Sequence, residues 1–318
     1  MTTDAIIVSF NTRELLRACL ASVLRFGGSS LGQVFVVDNA GTDDSVGMVR
    51  GVYPMVRVIA LDENLGFGAA NNRALRESAA ESVLFLNPDT ELTDGALTAL
   101  QACLASRSDG AIAGPKLVYP DGQFQPSCRR FPTPLRACWS LTGMERRFPN
   151  RCARLRNWLT EREHVPGASV DMVSGACFLA RRAYLEEVDG FDEELFLYEE
   201  ETDLMLPARR RGLKTVYCPE AVVVHHGGAS VAASGLSAFA TRHLYRSKYY
   251  CFRKHYGRRA ARRAYRLDRA VLVCSATRQR LRGPGGEAAA RLREVRRAWR
   301  ESFTPLAVLR ARADFHDS

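Results

Sequence analysis

No run of about 18 apolar residues occurs anywhere in the 318-residue chain, so no segment is predicted to cross a membrane as a helix. The opening residues, Met1-Thr2-Thr3-Asp4, lack a basic region and a cleavage site, and the chain reads as a cytoplasmic protein. The nine cysteines include no C-x-x-C pair, which predicts reduced thiols and argues against a disulfide framework or a zinc site. No internal repeat is visible. Acidic residues are scarce in one place: residues 241 to 300 hold 3 Asp+Glu against 19 Lys+Arg, or +16. The whole chain is +10, so the remainder is −6. The basic segment must face a membrane surface, a nucleic acid or solvent.

What is present, over the first hundred residues, is alternation. Apolar runs at Ala5–Val8, Val34–Val37, Val56–Leu61 and Val83–Leu86 are separated by helical patterns, among them Leu15, Leu16, Cys19, Leu20 and Val23. Such runs predict a parallel α/β sheet covered on both faces, with ligands beyond the carboxyl ends of its strands. Ser9, Asn11, Asp38, Asn39, Asn87 and Asp89 fall at that edge. Residues 128 to 168 carry Pro132, Pro134, Pro149 and Pro166 without a clear period and read as an irregular excursion. Strand character returns over Val170–Phe178. A helix follows near Arg181 to Val188, another ends at Arg211, and two strands are predicted around Thr215–Tyr217 and Val222–Val224.

Several of these residues suit chemistry. In extended chain Asn87 and Asp89 face the same way, and two oxygen ligands so spaced suit Mg²⁺ or Mn²⁺. The competing reading is a helix N-cap, with the helix starting at Thr93 or Asp94. Asp38 can accept a hydrogen bond from a ribose hydroxyl or a base N–H, or it can cap a turn. Gly66 and Gly68, before a helix, allow backbone N–H groups to approach an anion. Asn71 stands where a dinucleotide fingerprint needs its third glycine, which argues against a dehydrogenase. Glu199, Glu200, Glu201 and Asp203 make an acidic helix start flanked by apolar residues, where like-charged neighbours favour a carboxylate that takes up a proton. His225 and His226 close the last strand, a position held more often by packed histidines than by ligands.

Taken in order, these motifs resemble glycosyltransferase family 2, and in particular its rhamnosyltransferase-like branch. The resemblance is carried by Val8-Ser9-Phe10-Asn11, Val36-Val37-Asp38-Asn39, Asn64-x-Gly66-Phe67 with Asn72, and Leu86-Asn87-Pro88-Asp89. It continues through Gly175-Ala176-Cys177, Gly190-Phe191-Asp192-Glu193, the acidic motif from Tyr198 to Leu204, and His225 with Ser230, spanning about residues 4 to 256. It implies a GT-A fold, a Rossmann-like, mainly parallel mixed sheet flanked by helices. It also implies an inverting, metal-assisted transfer from a nucleotide diphosphate sugar to a hydroxyl of a glycan or lipid-linked acceptor. On that resemblance Ser9, Asn11, Asp38, Asn39, Asn64, Gly66, Asn72 and Asn87 form the donor site, Asp38 contacting the base. Asp89 and His225 bind Mn²⁺ or Mg²⁺, and Glu201, with Glu200 and Asp203 beside it, is the general base. The donor favoured is dTDP-L-rhamnose, a UDP-sugar being the alternative.

Three residues depart from the family pattern. Glu201 is one methylene longer than the usual aspartate, and Glu199 stands where an aromatic is common. Pro207 fits only a helix that opens near Asp203, because an interior proline costs about 3 kcal/mol.

The expected organisation is a catalytic domain over residues 1–238 followed by a basic amphipathic helical extension over 239–318. Within the first, residues 1–118 are the nucleotide-sugar half, 128–168 the insertion and 169–238 the acceptor half. In the extension, Leu267, Val271, Cys274 and Leu281, and then Ala288, Leu292, Val295 and Trp299, form stripes bordered by arginines. That pattern predicts a dock on an anionic membrane surface, peripheral to the inner face of the plasma membrane, and no nucleic-acid partner. A nucleotidyltransferase is the alternative enzyme, but Ser9-Phe10-Asn11-Thr12 lacks its glycine-rich loop. A nucleic-acid binder would need aromatics exposed among the arginines, whereas Tyr245, Tyr249, Phe252 and Tyr256 read as a stripe packed inward.

Overall fold

Side chains that alternate across the first strands meet two different layers of helix. A computed structural model describes residues 1–142, 144, 148, 153–227, 237–281, 293, 295–297 and 299. In it β1 (Thr3–Ser9), β2 (Leu31–Asp38), β3 (Arg57–Ala60) and β4 (Ser82–Leu86) form a parallel block in the order β3-β2-β1-β4. Helices α1 (Arg13–Phe26), α2 (Ser45–Val52) and α3 (Phe67–Glu77) connect them. Ala5, Ile7, Val34 and Val36 pack in one core cluster with Leu16 and Leu20 of α1 and Met48 and Val49 of α2. Their neighbours Ile6, Val8, Phe35 and Val37 pack in the other, with Ala70 and Ala74 of α3. The period of two along each strand thus divides one apolar run between two cores.

The sheet continues through β5 (Thr90–Leu92), β6 (Gly110–Val118), β11 (Cys177–Arg181) and β12 (Lys214–His225), with α4 (Ala96–Ala105) between β5 and β6. β11 runs antiparallel to both β4 and β6, β12 is parallel to β6, and β5 is antiparallel to β12. Short strands β7 (Phe124–Gln125) and β9 (Ser169–Val170) extend β6 and β12, and β8 (Cys128–Arg129) pairs with β10 (Met172–Val173). The sheet is therefore mixed and flanked by helices, its longest ladders being parallel. The two strands expected around residues 215 and 222 are one, whose register with β6 shifts between Cys218 and Val222. Pro219, which has no N–H to donate, lies in that shift. The strand expected over Val170–Phe178 is broken into β9, β10 and the start of β11.

Two adjacent arginines at the end of β11 close two helices. Arg181 donates to the carbonyls of Leu104, Arg107 and Gly110 after α4, and Arg182 to those of Leu75, Ser78 and Ala80 around the end of α3. A guanidinium at a helix C-terminus satisfies orphan carbonyls and opposes the negative end of the dipole. Cys103 on α4 and Cys218 on β12, 115 residues apart, form a disulfide. The expectation of reduced thiols fails at this pair, because chain spacing carries no information about a contact made between a helix and a distant strand. Cys19, Cys128, Cys177 and Cys251 are buried thiols outside the disulfide, and burial pushes those of Cys19 and Cys128 up to about 12.

The chain divides into two compact units. The first comprises Met1–Phe131, Trp158–Phe196 and Glu200–Gly235, and the second Pro132–Asn157, Leu197–Glu199 and Leu236–Ser318. In the second, the helix Ser237–Leu281 is broken at Gly257, whose φ of 82° is left-handed. The two arms fold back on each other: Lys248 donates to both oxygens of Asp268, at 3.0 and 2.7 Å, and Tyr249 donates to the same carboxylate at 2.6 Å. Asp268 is wholly buried. Helix α5 (Pro134–Leu141) packs on this hairpin through Ala137 and Leu141. Tyr245, Tyr249 and Phe252 are buried, as their stripe predicts.

The stripe of Leu267, Val271 and Cys274 expected to face a membrane is not the face that the hairpin packs inward. Leu267 and Val271 are half-buried and Cys274 is exposed, whereas Ala264, Asp268, Leu272 and Ala276 point inward. Trp299 is buried against Tyr265 and donates to the Tyr249 hydroxyl at 3.1 Å. The Leu281 side chain, Ala288, Leu292 and Ser230 lie outside the described residues. Among the described residues no helix is long and apolar enough to cross a membrane.

Within the first unit, His164 is one of the residues that hold the segment after residue 157. His164 is buried between Phe124 and Tyr217; its Nε2 accepts the N–H groups of Ser127 and Cys128 at 3.3 and 3.0 Å, and its Nδ1 donates to the Thr160 carbonyl at 2.8 Å. Burial holds its pKa below the ordinary imidazole value of 6.5. The fold therefore favours neutral His164, and its contribution is full above about pH 6.5 and is lost as pH falls below that value. Melting temperature measured at pH 7.5 and at pH 5.5 should fall more in the native protein than in His164→Gln. Equal falls would assign the pH dependence to other groups.

Candidate active site

Register places the polar residues of the sequence motifs on one edge. Ser9 pairs with Asp38, and Ile7 with both Val36 and Leu86, so β1, β2 and β4 end together. Beyond β2 the chain turns through Ala40 with φ 63°, and beyond β1 through Asn11 with φ 55°. Left-handed backbone at non-glycine residues costs energy and clusters at functional sites. Asn11 accepts the Thr42 N–H at 2.7 Å, and Asp43 accepts the N–H of Arg13 at the start of α1, so the two loops brace each other. Asp38 is 4% exposed; one carboxylate oxygen accepts the Gly41 N–H at 3.0 Å and the other, Oδ1, has no partner. Burial raises its pKa, and the Gly41 hydrogen bond offsets part of the rise. An orphan acceptor at a strand end is suited to a donor N–H or hydroxyl of a ligand.

The asparagines of the motifs serve the loops. Asn39 donates to Asn64 Oδ1 at 2.9 Å and accepts the Leu65 N–H at 2.8 Å, which fixes the turn before α3. Gly66 there has φ 86°, and a Cβ on it would stand 2.3 Å from the Phe196 carbonyl oxygen. Asn72 donates to the Phe191 carbonyl and accepts the Phe191 N–H, joining α3 to the loop after the helix Arg182–Glu187. Asn39, Asn64, Gly66 and Asn72 thus shape the edge, whereas Asp38 has a free atom to offer it. Ser9 is buried and bonded to Thr12 at 2.9 Å.

After β4 the chain does not enter a helix. Asn87-Pro88-Asp89 leads directly into β5, and α4 begins only at Ala96, which removes the N-cap reading. Asp89 is 2% exposed, with its Oδ1 3.5 Å from His225 Nε2. The opposite ring nitrogen of His225 bonds Gln125 Oε1 at 2.7 Å. His226 turns elsewhere and pairs with Glu91 at 2.7 Å. Two ligands at right angles on an octahedral ion, about 2.1 Å from it, stand about 3 Å apart. Asp89 and His225 therefore make a donor set that fits a divalent cation.

The acidic motif reaches the same edge by a different route. The helix Glu200–Arg210 carries Glu201, whose Oε1 accepts the Gly175 N–H at 3.0 Å, and the next carbonyl, Ala176, accepts the Asn87 N–H at 2.9 Å. Two short hydrogen bonds thus connect Glu201 to the strand end that carries Asp89. Glu200 and Asp203 are both buried. Tyr198 and Glu199 have φ 71° each, so two left-handed residues precede the helix. The helix opens at Glu200, so Pro207 is interior and not in a first turn. Leu204, Met205, Leu206 and Ala208 are buried in the second core cluster, which offsets the hydrogen bond Pro207 cannot make.

Gln125, His164 and the hydrogen-bonding role of Gly175 escape sequence reasoning. Gln125 lies on a two-residue strand, and neither period nor motif marks it.

The order of the sheet and a ligand edge beyond β1, β2 and β4 define a GT-A type α/β fold. The chain belongs to Glycosyl transferase family 2, whose profile matches residues 4–189. That match stops short of Glu200 and His225. The N-acetylglucosaminyl-diphospho-decaprenol L-rhamnosyltransferase of Mycobacterium tuberculosis is 31% identical over 221 residues, 66% of this chain and 71% of that protein. Among solved structures, the mannosyltransferase PcManGT of Pyrobaculum calidifontis, in complex with GDP-Man and Mn²⁺, has a TM-score of 0.52 and 20% identity, covering 98% of this chain and 85% of that one. S. aureus TarS 1-349 in complex with UDP-GlcNAc has a TM-score of 0.53 and 18% identity, covering 80% and 67%.

A Cβ on Gly175 would stand 2.4 Å from Glu201 Oε1. Gly175→Ala should therefore displace this carboxylate while leaving the apolar core untouched. Glycosyl transfer should fall about tenfold to a hundredfold, the scale of an ångström's misplacement. Circular dichroism should show native secondary structure. Undiminished transfer would mean the Glu201 position does not matter.

Proposed function

We propose that the protein is an inverting, metal-assisted glycosyltransferase that moves a hexosyl group from a nucleotide diphosphate sugar to a hydroxyl of a glycan or lipid-linked acceptor. The observation that carries this is the joining of two chemistries at the end of β4. A buried carboxylate stands 3.5 Å from a histidine nitrogen, and a second carboxylate is held two hydrogen bonds away. Asp38, with its orphan oxygen, receives a base N–H or ribose hydroxyl. Asp89 and His225 hold the cation, which when bound neutralises charge developing on the leaving diphosphate. Glu201 takes the proton of the attacking hydroxyl at Oε2, since Oε1 is bound to Gly175. Attack opposite the leaving group inverts the anomeric centre.

Similarity to the mycobacterial L-rhamnosyltransferase, at 31% identity, supports L-rhamnose as the sugar transferred, and we take dTDP-L-rhamnose as its donor. A panel of dTDP-rhamnose, UDP-galactofuranose and UDP-N-acetylglucosamine, each with Mn²⁺, Mg²⁺ or EDTA, tests the reading. Donor turnover should require metal and be highest with dTDP-rhamnose. Asp89→Ala should lower it at least about a hundredfold, as loss of a strong electrostatic stabiliser does. Glu201→Gln should abolish transfer while donor still binds. Full turnover in EDTA would reject the metal, and preference for a UDP-sugar would reject the rhamnose assignment.

A lipid-linked acceptor would give the basic hairpin a purpose. Arg258, Arg259, Arg262, Arg263, Arg266 and Arg269 are all exposed, and each contributes about 1 kcal/mol beside an anionic leaflet. Trp299 is buried, so it takes no part in this docking. Sedimentation with phosphatidylglycerol vesicles should therefore show binding that vanishes at about 0.5 M salt, within the range where the screening length falls to a few ångströms. Equal binding to neutral vesicles would exclude it.

A further inference from the structure

Resting on the metal reading just given, we infer that Gln125 is the positioning residue of the metal side. It holds His225 in the tautomer that carries its proton on Nδ1 and presents the Nε2 lone pair toward Asp89.

The chemistry follows from what each atom can do. A glutamine carbonyl oxygen accepts and cannot donate, so the 2.7 Å contact between Gln125 Oε1 and His225 Nδ1 requires the proton on Nδ1. In neutral imidazole Nε2 is then left with a lone pair, and it is this atom that lies 3.5 Å from Asp89 Oδ1. A ligating histidine almost always donates its other N–H to an oxygen in this way, which fixes the ring and raises its basicity. The Gln125 amide is kept from flipping by a second contact, because its Nε2 lies 3.5 Å from the His225 carbonyl. With the amide reversed, its NH₂ would face Nδ1 and its oxygen a carbonyl. Gln125 is 7% exposed, so water does not compete for these bonds.

Gln125 is itself on a constrained segment. β7 pairs Gln125 with Leu117 of β6, and Pro126 follows. His164 then accepts the N–H groups of Ser127 and Cys128, and the Ser127 hydroxyl donates to the Pro115 carbonyl at 3.1 Å. The Ser127 carbonyl accepts the Ser174 N–H at 2.7 Å, one residue before the Gly175 N–H that holds Glu201. Residues 125 to 128 thus position the metal-side histidine through a side chain and the proposed base through the backbone. Among the described residues, none of these four is hydrogen-bonded to the donor-loop asparagines, which use a separate set of hydrogen bonds.

The test uses the full chain and two readouts that do not require turnover. Long-range ¹H–¹⁵N spectra of ¹⁵N-histidine-labelled protein, with His225 assigned from His225→Gln, should show protonated Nδ1 in the native enzyme. Gln125→Met, of similar volume without an acceptor, should lose that tautomer preference, and Gln125→Glu, which keeps the acceptor, should restore it. Mn²⁺ binding, followed by the paramagnetic resonance of the free ion in the presence of dTDP, should weaken about ten- to a hundredfold in Gln125→Met, the usual cost of removing such a partner. It should recover to within about threefold in Gln125→Glu. Native-like tautomer and Mn²⁺ affinity in a folded Gln125→Met would overturn the proposal. Unchanged Mn²⁺ binding in Asp89→Asn and His225→Ala would overturn the metal reading and this inference with it. Gln125→Ser, too short to reach Nδ1, should show the same two losses, and native-like values in it would equally overturn the proposal if Gln125→Met does not fold.

Discussion

A carboxylate that leaves a strand into a nearly dry environment constrains everything around it. Asp89 is 2% exposed, and an ionised group so placed needs compensation that water cannot give. β5 turns away at once and pairs with β12, which brings His225 opposite Thr90 and its ring beside Asp89, where the cation proposed for this pair would supply that compensation. Had a helix followed Pro88, as an N-cap would require, β12 would have lost its antiparallel partner over Val223–His225 and kept only β6 beside it. The disposition of β4, β5 and β12 is therefore what sets the carboxylate and the imidazole side by side.

Around this centre the protein uses two classes of hydrogen bond. Asn39, Asn64 and Asn72 spend their amides on neighbouring backbone, so that loops carrying no regular structure still have few unsatisfied groups. Asp38 differs in keeping one buried oxygen without a partner, at the cost of a raised pKa. Glycine enters where a side chain would fill the space a neighbour needs. Gly66 admits the Phe196 carbonyl, and Gly175 admits the Glu201 carboxylate.

The second unit follows a separate logic. Its hairpin surrounds a buried Asp268 that both Lys248 and Tyr249 satisfy, with Trp299 donating to the tyrosine in turn. Removing one partner of such a pair typically costs about 3–5 kcal/mol, because the other charge stays buried. The arginines outside this core leave the stability of the hairpin to its interior and the charge of its surface to whatever the hairpin meets.

The parallel block was legible in the sequence because four uninterrupted apolar runs alternate with helical periods. Its polar strand ends at Ser9, Asp38 and Asn87 were legible for the same reason. Family membership was legible as well, since it rests on short motifs in a fixed order. Local pattern could not give β12 as one strand through Pro219, the Cys103–Cys218 bond or the face of the basic helices that packs inward. Each depends on a partner far along the chain. The inward face is the clearest case: Asp268 sits at its centre, and a charged residue marks the polar side of a helix until Lys248 and Tyr249 arrive from the other arm. The same holds at the site. Residue type and motif order nominated Asp89, Glu201 and His225, but the pairing of β12 with β5 and β6, and the hydrogen bonds that turn His225 to Gln125 and His226 to Glu91, are tertiary. A side chain's chemistry is written in the sequence; which atom of it is left facing a ligand depends on which neighbours have already taken the others.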